Sequence, residues 1–122
     1  MLTIRQEPQF AVVTVAGTVT PSDYETFVPE FERIARDWQK VPMLIDATAL
    51  ESWELSVLWP DLKFSAAHKD SFGPMAIVGD RKWMEWGTAF SKPFFDAEMR
   101  FFRPEEREDA RRWLLTRAKA AA

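Results

Sequence analysis

Two strand-then-helix units follow one another in the second half of the chain with almost no filler, and few folds accommodate that order. The apolar run Met75-Ala76-Ile77-Val78 ends at Gly79-Asp80 and leads straight into the Trp-rich stretch from Arg81 to Phe90. Residues Ala97 to Phe102 then alternate as a strand does, and Arg103-Pro104 opens a last amphipathic helix through Ala110, Trp113 and Leu114. Helices that separate successive strands imply parallel pairing with right-handed crossovers, which is an α/β layer fold.

The first half of the chain fits the same plan. Leu2 and Ile4 alternate with Thr3 and Arg5 as in a half-exposed strand, and Glu7-Pro8-Gln9 is a turn. Phe10 to Ala16 is apolar on both faces except at Thr14, which suits an internal strand, and Gly17 is expected to end it. Thr20 as an N-cap, Pro21 at the first helical position and Asp23 in the first turn start a helix. Its stripe is Tyr24, Phe27, Val28, Phe31, Ile34, Ala35 and Trp38, and Pro29 inside it predicts a break or kink.

Val41 to Ile45 reads as a short buried strand closed by Asp46. A helix is expected to begin between Ser52 and Ser56 and to carry Leu55, Leu58, Trp59, Leu62 and Ala66 on one side. Asp80 would cap the next helix, whose stripe is Trp83, Trp86 and Phe90. The whole is one domain, residues 1–122, with a five-stranded mixed sheet and four main helices.

Composition removes several function classes. A net charge of −3 with mixed signs along the chain gives no basic stripe for nucleic acid. The absence of cysteine rules out disulfides, thiolate catalysis and Cys-based zinc sites. No run approaches the roughly 20 apolar residues of a membrane span, and no basic segment leads into an apolar one at the start, so the expected location is cytoplasmic.

Catalytic chemistry finds little support. His68 is the only histidine, and Asp61, two helical turns away, cannot orient it. Asp46 and Asp80 each end a predicted strand where α/β proteins bind ligands, but strand-end aspartates also serve as caps and turn formers. A single glycine in Val78-Gly79-Asp80-Arg81 does not make a phosphate loop. No catalytic residue, metal site or cofactor is therefore assigned.

The aromatic content is what remains. Six tryptophans and ten phenylalanines exceed what the helix stripes need, and the surplus lies in Trp53, Trp59, Phe64, Trp83, Trp86, Phe90, Phe94 and Phe95, of which the first six are the expected ligand-binding residues. Such a concentration packs a core, lines an apolar ligand pocket or forms a homodimer face.

Met43-Leu44-Ile45-Asp46, the Trp53 to His68 segment, Val78-Gly79-Asp80 and Ala110 with Trp113-Leu114 together resemble the SpoIIAA-like proteins of the STAS class over nearly the whole chain. The resemblance implies an opening hairpin followed by βα units with helices mainly on one face. The winding is also similar to that of lipid-carrying CRAL-TRIO domains, which implies a pocket for a small apolar molecule. In the sporulation regulators of this family, a serine at the start of the helix after the third strand is phosphorylated and toggles binding to a partner kinase. Here Leu50 to Ser56 lacks the Asp-Ser-x-Gly signature; Glu54 stands near the expected serine, and Ser52 and Ser56 are the alternative acceptors. The expectation is a non-enzymatic domain binding a small apolar ligand or a protein partner, with a phosphorylation-controlled module of the anti-sigma antagonist type as the alternative.

Overall fold

The computed structural model describes residues 1–38, 40–53, 72–79 and 98–121. Within them the chain forms β1 (Leu2–Gln6), β2 (Ala11–Val19), helix α1 (Pro21–Trp38), β3 (Val41–Trp53), β4 (Phe72–Val78), β5 (Met99–Phe102), a 3₁₀ turn at Pro104–Glu106 and helix α2 (Arg107–Ala121). The strands make one five-stranded sheet in sequence order, with β1–β2 antiparallel and every later pair parallel. This is the mixed α/β sheet that the element order predicts.

Alternation along β2 divides the core in two. Ala11, Val13 and Val15 join Tyr24, Phe27, Phe31 and Ile34 of α1 on one face, together with Met43 and Met75. Val12 joins Leu44, Ala76, Val78, Phe102 and the α2 residues Ala110 and Leu114 on the other, where Phe10, just before the strand, also packs. The two described helices thus stand on opposite faces; the expected second and third helices fall on residues outside those described.

Four local readings are corrected. Gly17 does not end β2; it sits within the strand at φ 61°, beside a register shift, and the strand runs on to Val19. β3 does not stop at Asp46 but continues to Trp53, because Ala49, Leu50, Ser52 and Trp53 pair along β2 beyond it, where Thr48, Glu51 and Ser52 interrupt the apolar pattern. A helix therefore cannot start at Ser52.

At the start of α1, the Thr20 hydroxyl does not accept from the backbone. Instead the Thr20 amide and hydroxyl both donate to Asp23 Oδ2, at 2.8 and 3.1 Å. Finally, α1 runs unbroken through Pro29. The proline removes a bond to the carbonyl of Glu25, but both residues lie on the exposed side, where that carbonyl is open to solvent, while Phe27, Phe31 and Ile34 keep the buried stripe in place.

Gly73 shows how closely β3 and β4 approach. The register slips between Val41 and Met43, and a Cβ on Gly73 would lie 2.9 Å from both Pro42 N and Val41 C. Backbone cannot yield as a side-chain tip does. Gly73→Ala should therefore lower stability by about 1–3 kcal/mol in urea unfolding. Gly79→Ala, whose Cβ would meet Ala47 Cβ at 3.3 Å, should cost measurably less.

Candidate functional site

β3 gains two residues on β2 between the pairs Thr14↔Asp46 and Val19↔Trp53, through register shifts after Thr14 and after Gly17. Such bulges leave residues outside the ladder and re-aim their side chains. The first shift places an unpaired stretch directly after Asp46, and the Asp46 side chain fills the gap. Its Oδ1 accepts the Thr48 amide at 3.0 Å and the Thr48 hydroxyl at 2.6 Å. Its Oδ2 accepts from Arg107 Nη1, the first residue of α2.

Asp46 thus ties the bulge in β3 to the start of α2. Partial burial pushes its carboxyl pKa up, but the Thr48 hydroxyl, the Arg107 guanidinium and the Thr48 amide together hold it below the ordinary carboxylate range. Asp23 is also held low, first by the Thr20 amide and then, against a desolvation that raises it, by the Thr20 hydroxyl and the nearby chain-start ammonium.

The expected site residues are distributed as follows. Trp53 is the last residue of β3, in register with Val19, and Ser52 precedes it opposite Thr18. Ser56, Trp59, Phe64, His68, Asp80, Trp83, Trp86 and Phe90 lie outside the described residues, as does Glu54. The two stretches that carry them, 54–71 and 80–97, follow the carboxyl ends of the neighbouring parallel strands β3 and β4. Asp46 is a strand-interior anchor rather than a strand-end acid.

Two features escaped sequence reasoning. One is the Asp46–Arg107 tie, for which a signal existed: Arg107 is a cation among Glu105, Glu106, Glu108 and Asp109, where the helix dipole favours anions. The other is an open groove of about 470 Å³ between the β1–β2 hairpin and α2, floored by Phe10, Val12 and Leu44 and reaching Arg111 and Leu115. Nothing in local spacing brings a hairpin turn and the last helix together.

Among the described residues no helix is long and apolar enough to cross a membrane, and no group of three or more acidic or histidine side chains is placed to hold a metal ion.

Because the folded pKa of Asp46 lies below its unfolded value, its contribution to stability is complete above about pH 4 and is lost as pH falls through the folded value. Asp23 acts in the same direction. Asp46→Asn should therefore lower stability near pH 7 by about 1–2 kcal/mol and flatten the decline below pH 4, both read from urea titrations across pH.

Comparison with known proteins bears on this geometry. A family model described as SpoIIAA-like matches residues 10–115. A crystal structure of an uncharacterised protein with a SpoIIAA-like fold from Shewanella loihica is similar at 30% identity, covering 93% of this chain and 92% of that one, with a TM-score of 0.76. An anti-sigma factor antagonist from Mycobacterium paratuberculosis shares the fold at 17% identity and a TM-score of 0.54, covering 93% of this chain and 92% of that one. Among curated proteins the chain matches none.

Proposed function

The chain belongs to the SpoIIAA-like family, and on that premise we propose that it is a non-enzymatic, cytoplasmic STAS-like domain that binds a small apolar ligand through aromatic side chains at the carboxyl ends of β3 and β4. One observation carries this reading. The stretches holding Trp59, Phe64, Trp83, Trp86 and Phe90 follow adjacent parallel strands at the ends where open α/β sheets bind ligands, and Trp53 is itself the last residue of β3. Aromatic residues brought together there would offer an apolar wall.

A protein partner is the second reading, favoured by the structural neighbour named as an anti-sigma factor antagonist. In its regulated form Ser52 or Ser56 would accept phosphate. Ser52 lies on β3 opposite Thr18, so a phosphate on it would stand at the sheet's end rather than on a helix. Mass spectrometry of the protein from its source reads this directly: phosphate on either serine supports the regulated partner-binding form, and unmodified serines leave the apolar-ligand reading in front.

Binding to the native state raises its stability, by about 2.7 kcal/mol at a hundredfold excess over Kd. Titration with oleate and with naphthalene should therefore raise the melting temperature and shift tryptophan emission. Trp83→Ala should weaken that response at least about tenfold, the loss expected for a buried aromatic anchor. If a broad panel of fatty and aromatic molecules moves neither observable, the apolar-ligand reading fails.

A further inference from the structure

β1 is an edge strand, and its pairing with β2 fixes which of its backbone groups look outward. The Met1 ammonium donates to Ala16 O at 2.6 Å while Met1 O accepts the Ala16 amide at 2.9 Å, and the Glu7 amide donates to Phe10 O at 2.8 Å. Antiparallel partners alternate between pairs that exchange both bonds and pairs that exchange none. Met1 and Glu7 are in step with Thr3 and Arg5, which therefore face β2, and the amides and carbonyls of Leu2, Ile4 and Gln6 point away from the sheet. Among the described residues no strand pairs with that side.

Natural edge strands are blunted by proline, lysine, a bulge or extreme shortness. β1 carries none of these: it is five residues in unbroken register, and its single charge, Arg5, is paired with Glu7 at 2.9 Å. Apolar surface is still open to water along it. Ile4 is only half-buried in the middle of the strand, and Met1, 53% exposed, is the one exposed large hydrophobic side chain among the described residues.

We propose that a second copy of the chain pairs along this edge, β1 against β1 antiparallel about a two-fold axis at Ile4, so that the two sheets become one. The register selects this occupant. With Ile4 opposite itself, Leu2 of each copy faces Gln6 of the other, and every outward amide and carbonyl of β1 finds a partner. On the α1 face the two Ile4 side chains form a β-branched cross-strand pair. On the other face Thr3 stands opposite Arg5 and Met1 opposite Glu7, with no like charges facing each other. Slipping the register one way sets Arg5 opposite Arg5, and slipping it the other way leaves Gln6 without a partner. An edge paired with itself is used up in both copies, so the contact closes at a dimer. None of the aromatic residues assigned to ligand binding takes part, so the two proposals stand or fall separately.

Sedimentation equilibrium of the full chain reads the association, and wild type should dimerise. Ile4→Pro and Gln6→Pro each delete an outward donor without removing a bond to β2, a placement that edge strands accept. Each deletion counts twice across the axis, so either variant should dissociate at least about tenfold more readily. Thermal melts check that the variants are folded, and Gln6→Pro, whose native side chain is exposed, serves if Ile4→Pro does not fold. Amide hydrogen exchange in the wild type adds a readout specific to this edge. The amides of Leu2, Ile4 and Gln6 should exchange more slowly as protein concentration rises, whereas those of Thr3 and Arg5, bonded to β2, should be protected at every concentration.

A wild type that stays monomeric to about 0.5 mM, in the millimolar range of the weakest specific contacts, overturns the proposal. So does a dimer that neither proline weakens, which places the interface elsewhere. Outward amides whose exchange does not change with concentration overturn it as well, because the edge is then either left to water or covered within one chain.

Discussion

The structure hangs on β2, a strand that has to be apolar on both faces. Ala11, Val13 and Val15 are each no more than 4% exposed and lie under α1, while Val12 faces the other way into the α2 layer. Each fully buried valine contributes roughly 1.5–3 kcal/mol, and here a single strand contributes to two cores at once. β1 pairs antiparallel on one side of it and β3 parallel on the other. A polar residue inserted into Ala11 to Val15 would therefore unseat a helix whichever face it took. Thr14 is tolerated because it pairs beside Asp46, where the α2 face turns polar.

Where β2 and β3 fall out of step, local chemistry takes over from packing. The extra residues in β3 leave amides without a ladder partner, which side chains or solvent must then meet. Asp46 meets the one on Thr48 and uses its second oxygen to hold Arg107. The first residue of the last helix is thereby attached to the middle of the sheet, and the α2 layer, with Ala110 and Leu114 fully buried, is fixed at its start as well as along its length. Gly73 plays the matching steric role between β3 and β4, where the missing side chain permits the backbones to close.

The elements with strong periodicity were legible in the sequence. The stripe of Tyr24, Phe27, Phe31 and Ile34, the two-faced apolarity of β2 and the in–out alternation of Met99 and Phe102 all appear in the structure as read. The misread places are those where a tertiary partner outweighs the local signal. β3 beyond Asp46 is held by β2 rather than by its own pattern, Gly17 bends inside a strand, and α1 passes Pro29 because its opposite face is anchored. Of the candidate site, the aromatic residues were chosen by composition alone and, Trp53 apart, lie outside the described residues, whereas the Asp46–Arg107 tie spans 61 positions and leaves only a misplaced cation at the helix start as its signal.

The central claim is that the β2–β3 pairing, closed at its bulge by Asp46, is the stable frame from which everything else is positioned. Residue-resolved amide hydrogen exchange in the wild type and in Asp46→Ala tests it most directly, because protection reports the free energy of local opening. The slowest amides should lie in Ala11–Val15 and Met43–Asp46, and the exposed Thr48 should be protected in the wild type and lose that protection in the variant. Thr48 exchanging at the rate of free peptide in the wild type, or β5 outlasting β2, would contradict it.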